Sequence, residues 1–130
     1  MTKTLCSFQV SRLLKTAGFN DSVREHYRLT GELSDLTDAW GHWNNSVNFI
    51  SCPTQQIAIE WLIETHNLFI KIELEKLGWY WQIFYINKNY RYYHPKPATE
   101  KHGDYRSYES AIEAALEYGL YFLVINDSNE

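Results

Sequence analysis

LFIKIELEKLGWYWQIFYINKNYRYY, residues 68–93, reads as a β-hairpin with a third strand attached. Leu68, Ile70, Ile72 and Leu74 alternate with Phe69, Lys71, Glu73 and Glu75. This period of two puts aliphatics on one face and mostly charge on the other, as a half-buried antiparallel strand requires. Lys76-Leu77-Gly78 is a short connection ending in glycine, which takes a positive φ without steric cost. Trp79 to Ile86 is rich in β-branched and aromatic residues and has no polar face. Such a strand is central, or its second face is covered. Asn87-Lys88-Asn89 is a turn signal, Tyr90 to Tyr93 forms a short third strand, and Pro95 and Pro97 stop it.

Helices flank this hairpin. Upstream, Cys52-Pro53-Thr54 opens a helix, either with Thr54 as cap or with Pro53 at the first helical position. Ile57, Ala58, Trp61 and Leu62 form its inner stripe, Ile59 and Ile63 widen it, and it ends near His66-Asn67. Downstream, Ser107 caps a helix running to about Val124, in which Tyr108, Ala111, Ile112, Ala115, Leu116, Gly119, Phe122 and Leu123 share a face. A third helix spans Ser7 to Ala17, with Gly18 at the left-handed C′ position and Phe19 folding back on Leu14.

Residues 20–51 are irregular. Val23 to Leu29 fits a short strand or a helical turn, Leu33 to Trp40 has weak helical spacing, and Val47 to Ile50 reads as a short strand. Residues 94–106 read as a mobile polar loop, and 126–130 as a frayed tail. The expected fold is α+β: one domain over 1–130, with an antiparallel three- to four-stranded sheet carrying two or three helices on one face.

Composition narrows the function. With 45% apolar and 16% aromatic residues the chain does not belong to the disordered class. A formal net charge of −4 disfavours general nucleic-acid binding. No apolar run is long enough to span a bilayer and the N-terminus lacks a signal-peptide core, so the expected location is cytoplasmic. Cys6 and Cys52 then read as reduced thiols.

Chemical motifs are sparse. His26, His42, His66, His94 and His102 form no HxH, HExxH or Cys/His cluster at ligand spacing, so no metal and no cofactor is implied. No nucleophile elbow or phosphate-binding glycine loop occurs. Cys52 sits near a helix N-terminus, where the dipole can lower a thiol pKa. The alternative is a small buried apolar residue.

Three surfaces stand out. Lys88, Tyr90, Arg91, Tyr92 and Tyr93, continued by Lys96, Lys101 and Arg106, interleave cations with stacking rings, as a single-stranded nucleic acid would require. The plainer reading is a charge-protected edge strand. Trp40, His42 and Trp43 form an aromatic loop, read as a lid over the sheet's second face or as a carbohydrate or peptide contact. Glu109, Glu113 and Glu117 form an acidic stripe at i, i+4, i+8, either solvated or meeting a basic surface in a partner, in a second copy or in the 96–106 loop.

The segments SRLLKTAGF, CPTQQIAIEWLIETHNLFIKIEL, GWYWQIFYI and YRSYESAIEAALEYGL together resemble small uncharacterised proteins carried by bacterial prophages and other mobile elements. The likeness touches most of the chain except 21–47. It implies a mobile-element origin and a cytoplasmic accessory role, and no reaction. The leading functional expectation is a small non-enzymatic adaptor or modulator that binds another protein, with a homodimer as one form of it. The alternative is a weak single-stranded nucleic-acid binder through residues 88–106. An enzyme would need a pocket with convergent polar groups, assembled from distant positions.

Overall fold

A computed structural model describes residues 4–34, 40–87 and 94–128. In chain order the elements are α1 (Phe8–Thr16), β1 (Glu25–Arg28), β2 (Leu33–Ser34), a 3-10 turn (Trp43–Asn45), β3 (Phe49–Cys52), α2 (Gln55–His66), β4 (Leu68–Glu75), β5 (Gly78–Asn87), β6 (His94–Pro97), β7 (His102–Tyr105) and α3 (Tyr108–Ser128). The class is α+β, with three helices and two antiparallel sheets.

β4 and β5 pair from Leu68↔Tyr85 to Glu75↔Gly78, leaving a two-residue loop, Lys76-Leu77. Gly78 takes φ 143, and a side chain there would meet the Tyr105 carbonyl at 2.9 Å. Ile70 faces Ile83 and Ile72 faces Trp81 across the strands, and these residues turn the hairpin's apolar side to the core. β5 is central: β4 lies on one edge, and β6 and β7 share the other.

Residues 94–106, expected as a polar loop, contain β6 and β7, and Pro95 and Pro97 lie inside β6. Prolines two apart put both missing N–H groups on the same side of a strand. At the edge of a sheet that side can be the outer one, so no ladder bond is lost. The chain passes from β6 to β7 by wrapping around Ile83. The Ile83 carbonyl accepts from Ala98 and Thr99 (2.8 and 3.3 Å), and its N–H donates to the Thr99 hydroxyl (3.1 Å). Tyr80 covers Gly103 so closely that a side chain there would enter its ring. Lys101 lies 5.1 Å above the same ring and pairs with Glu75. The stretch Tyr90 to Tyr93, expected as the third strand, lies outside the described residues.

The irregular stretch holds a second sheet of order β2-β1-β3. β1 pairs with β3 from Glu25↔Cys52 to Arg28↔Phe49. The strand expected at Val47 to Ile50 is displaced toward Cys52, and Leu33–Ser34 is a strand rather than the start of a helix. Residues 35–39, the rest of that expected helical spacing, lie outside the described residues. EHYR and FISC are four residues each and mix polar with apolar side chains, so no alternation develops for a linear reading to find.

Helix ends follow local chemistry. The Ser7 hydroxyl accepts from the Val10 N–H and the Thr54 hydroxyl from the Ile57 N–H. At the end of α1, Phe19 N–H bonds Leu14 O and Gly18 N–H bonds Lys15 O, the two bonds of a Schellman stop. Asn67 closes α2 in the left-handed region, φ 57. α2 and α3 cover the apolar face of the large sheet, while α1 lies against α3 and β3. One core cluster joins Leu14, Phe19, Trp61, Ile70, Trp81 and Leu116. On α3, Tyr108 and Phe122 are exposed rather than inward, and Leu120 is fully buried among the core residues. Among the described residues no helix is long and apolar enough to cross a membrane.

Candidate functional site

Three parts of the chain converge on one cleft. The N-terminal segment is stitched beside α2, where Cys6 N–H donates to Pro53 O (2.9 Å) and Gln55 N–H to Thr4 O (2.8 Å). The first turn of α3, capped by the Ser107 hydroxyl accepting from Ser110 N–H (3.0 Å), lies opposite. The chain leading into β1 closes a third side, pinned by paired bonds between Val23 and Gly41 (2.9 and 3.0 Å). The opening between them has a volume of about 740 Å³. Its lining includes Val23, Pro53 and Ile112, together with Trp40, which is 64% exposed, and the half-exposed Tyr108. Arg24, Glu25 and Glu109 add charge of both signs. The volume falls in the range of ligand clefts.

Gln55 locks this arrangement. Its side-chain amide is buried and donates to the Glu109 carbonyl (3.0 Å) and to Glu113 Oε1 (3.2 Å). The same Glu113 oxygen accepts the Ser7 backbone N–H at the start of α1 (3.2 Å). A carboxylate beside a helix N-terminus is favoured by the helix dipole. Glu113 is therefore engaged inside the molecule, while Glu109 and Glu117 are exposed. The acidic stripe is divided, and the surface offers two of its carboxylates rather than three.

Cys52 lines the cleft, yet its side chain is completely buried, as is that of Cys6. Its thiol donates to the Cys6 carbonyl (3.5 Å). Burial pushes the Cys52 pKa up to about 11, an effect only partly offset by the neighbouring hydroxyls of Tyr27 and Ser11. Burial, then Glu113 and Cys52, also raises Cys6 well above its ordinary value. Tyr27, whose hydroxyl donates to Cys6 O (2.8 Å), is raised as well, chiefly by burial. Cys52 closes β3 and is not the cap of α2, and loss of hydration raises its thiol, so both thiols are protonated at neutral pH.

The aromatic loop also divides. Trp43 stacks on His26 (centroids 4.0 Å), meets Phe49 edge-on (6.0 Å) and donates its indole N–H to Val23 O (2.9 Å). It closes over the β1–β3 sheet, not over the second face of the large sheet. His42 is exposed, with Nδ1 2.7 Å from Asn20 O. Trp40 alone of the three lines the cleft.

The candidate interaction residues Lys88, Tyr90, Arg91, Tyr92 and Tyr93 lie outside the described residues. Of the cations that continue that stretch, Lys101 is held by Glu75, and Lys96 and Arg106 are exposed. Among the described residues no group of three or more His, Cys, Asp or Glu is placed to hold a metal ion. Gln55 and Tyr108 are the site residues that linear reading missed. Neither belongs to a motif; the nearest signal was their place in the first turn of a capped helix.

No protein-family model, curated protein or solved structure matches the chain.

Proposed function

We propose that the protein is a non-enzymatic interaction module, an adaptor or modulator that takes a segment of a partner protein into the cleft between Trp40 and Tyr108. The observation that carries this reading is the pairing of two exposed aromatic side chains with an open cleft of about 740 Å³. Rigid aromatic rings beside an apolar recess are the anchors that dominate protein recognition. The protonated, buried state of Cys52 supports binding over nucleophilic chemistry, because the thiol in the cleft wall is held in its unreactive form. Glu25 and Glu109 in the lining disfavour a polyanion. This reading goes with the mobile-element, cytoplasmic accessory role that the sequence resemblance implies.

Site-specific photo-cross-linking tests it. A photoreactive residue at position 40, compared with one at the exposed hairpin tip, position 77, is expected to capture one discrete protein from a bacterial lysate. The adduct should survive nuclease, and Tyr108→Ala should reduce it about tenfold, the loss of roughly 1.4 kcal/mol. Equal capture from positions 40 and 77 would sink the proposal. An adduct that disappears with nuclease would do the same, and would move attention to the nucleic-acid reading of residues 88–106.

A further inference from the structure

The C-terminal half of α3 carries two apolar stripes. One, including Leu116 and Leu120, is buried in the core. The other faces solvent: Tyr118 is 47% exposed, Tyr121 57%, Phe122 44% and Ile125 38%. These positions fall at i, i+3, i+4 and i+7, the spacing of a helix–helix seam. No charged residue occurs between Glu117 and Asp127. A helix apolar on both sides is ordinarily buried on both. The half-exposed Tyr85 extends the stripe onto the sheet, and with Tyr118, Gly119 and Phe122 it borders an apolar dimple of about 40 Å³ floored by Leu68 and Ile83. Tyr118 is held on its inner side by Trp81 and His102, at centroid distances of 5.4 and 5.7 Å. Its ring is therefore ordered before any partner arrives, which lowers the entropy lost on docking.

We propose that this stripe is a self-association surface, on which a second copy of the chain lays its own α3 antiparallel about a two-fold axis passing between Tyr121 and Phe122. Tyr118 of one copy meets Ile125 of the other, and Tyr121 meets Phe122, so every seam position has an apolar partner. Ile125 arrives beside the dimple next to Gly119, a knob for a hole, twice over by symmetry. Charge agrees. Antiparallel docking sets Glu117 opposite the uncharged Asn126 amide, a hydrogen-bond donor, whereas parallel docking sets Glu117 against Glu117. Three half-exposed aromatic rings, at about 150–250 Å² for each whole ring, leave on the order of 300 Å² per copy to bury. Tyr85 and Ile125 raise this to on the order of 450 Å² per copy, little more than half of the roughly 800 Å² per partner of a standard interface. The dimer is accordingly weak, and because the contact is isologous it closes rather than forming fibres. The stripe lies at the opposite end of α3 from Tyr108, so the inference stands or falls independently of the cleft.

Sedimentation equilibrium of the full chain, from roughly 1 µM to 1 mM so as to bracket a weak dissociation constant, should show the mass rising from one chain to two. Phe122→Glu, at an exposed position, should hold the mass at one chain while far-UV circular dichroism and the melting temperature stay near those of the parent. Direction is tested by disulfide trapping, which the buried native thiols do not disturb. A mixture of Glu117→Cys and Asn126→Cys chains should give mainly the mixed disulfide. One chain at every concentration would overturn the proposal. So would a dimer indifferent to Phe122→Glu, or preferential Glu117→Cys self-linkage, which marks parallel docking. A chain that stays single but loses a foreign protein cross-linked at position 121 when Phe122→Glu is introduced would assign the stripe to that protein and end the self-association proposal.

Discussion

The two sheets are both antiparallel and are held together by different physics. On the inward face of the large sheet, cross-strand neighbours are apolar: Ile70 on Ile83, Ile72 on Trp81. In the small sheet the fixing contacts are polar and come from side chains reaching to backbone. Asn44 accepts the Ser51 N–H on Oδ1 (2.8 Å), gives its own N–H to the Ser51 hydroxyl (3.2 Å) and donates its amide to Phe19 O (2.7 Å). Lys15 reaches from α1 to the carbonyls of Ser46 and Phe49, both at 2.7 Å. Apolar burial is non-directional and spreads its contribution over many residues. A polar network concentrates its contribution in a few atoms, each of which leaves an unsatisfied partner when removed. The large sheet should therefore fail as a whole, by loss of core, and the small sheet locally, by loss of one side chain.

The largest effect expected is at Trp81, buried in the large sheet and stacked on His102 at 4.3 Å. Trp81→Ala should lower the unfolding free energy by about 3–5 kcal/mol, read from urea titration. Its buried indole N–H finds no hydrogen-bond partner among the described residues, so Trp81→Phe should lose much less than the alanine change. If phenylalanine and alanine are equally damaging, packing is not what holds this strand.

A smaller and more local effect is expected at Asn44. Asn44→Ala should cost about 1–3 kcal/mol, since it orphans the partly buried Ser51 N–H. Hydrogen exchange should show amides of β1 and β3 losing protection while those of β4 and β5 retain most of theirs. Equal loss in both sheets would mean that the two are one cooperative unit, and the contrast between them would fail.

The smallest effect is pH-dependent and belongs to the small sheet alone. His26 is buried between Trp43 and Phe49, with no partner for Nδ1 among the described residues, and burial followed by Arg28 lowers its pKa below the ordinary 6.5. The unfolded chain then takes up the proton before the folded one. The His26 contribution to stability is complete above about pH 6.5, declines as the pH falls through that value, and levels off below the lowered folded-state pKa. Chemical denaturation midpoints at about pH 7.5 and 5 should reveal this decline, and His26→Phe should flatten it. A variant with an unchanged pH profile would place the titration elsewhere.

The same contrast explains which parts were legible. Periodicity in residues 68–86 runs long enough to identify strands and assign their faces. Ser7, Gly18, Thr54 and Ser107 act on residues at most four positions away, and a linear reading can find such partners. Gln55 acts on Glu109 and Glu113, Asn44 on Phe19 and Trp43 on His26, and no spacing rule predicts those meetings. Trp40 and Trp43 look equivalent in the sequence; a bond to Val23 and a stack on His26 half-bury one of them, while the other is left at the cleft.

By itself, the sequence determined the α+β class, the helix starts, the stops of α1 and α2 and the inward face of the hairpin, because each depends on interactions within a few residues; α3 runs on to Ser128, past the stop expected near Val124 and into the expected frayed tail. Tertiary structure alone decided the second sheet, the engagement of Glu113, the burial of Cys52, the cleft and the exposed stripe on α3. Those features depend on which distant surfaces exclude water from one another, and a side chain's burial, charge state and availability are set only once that exclusion is complete.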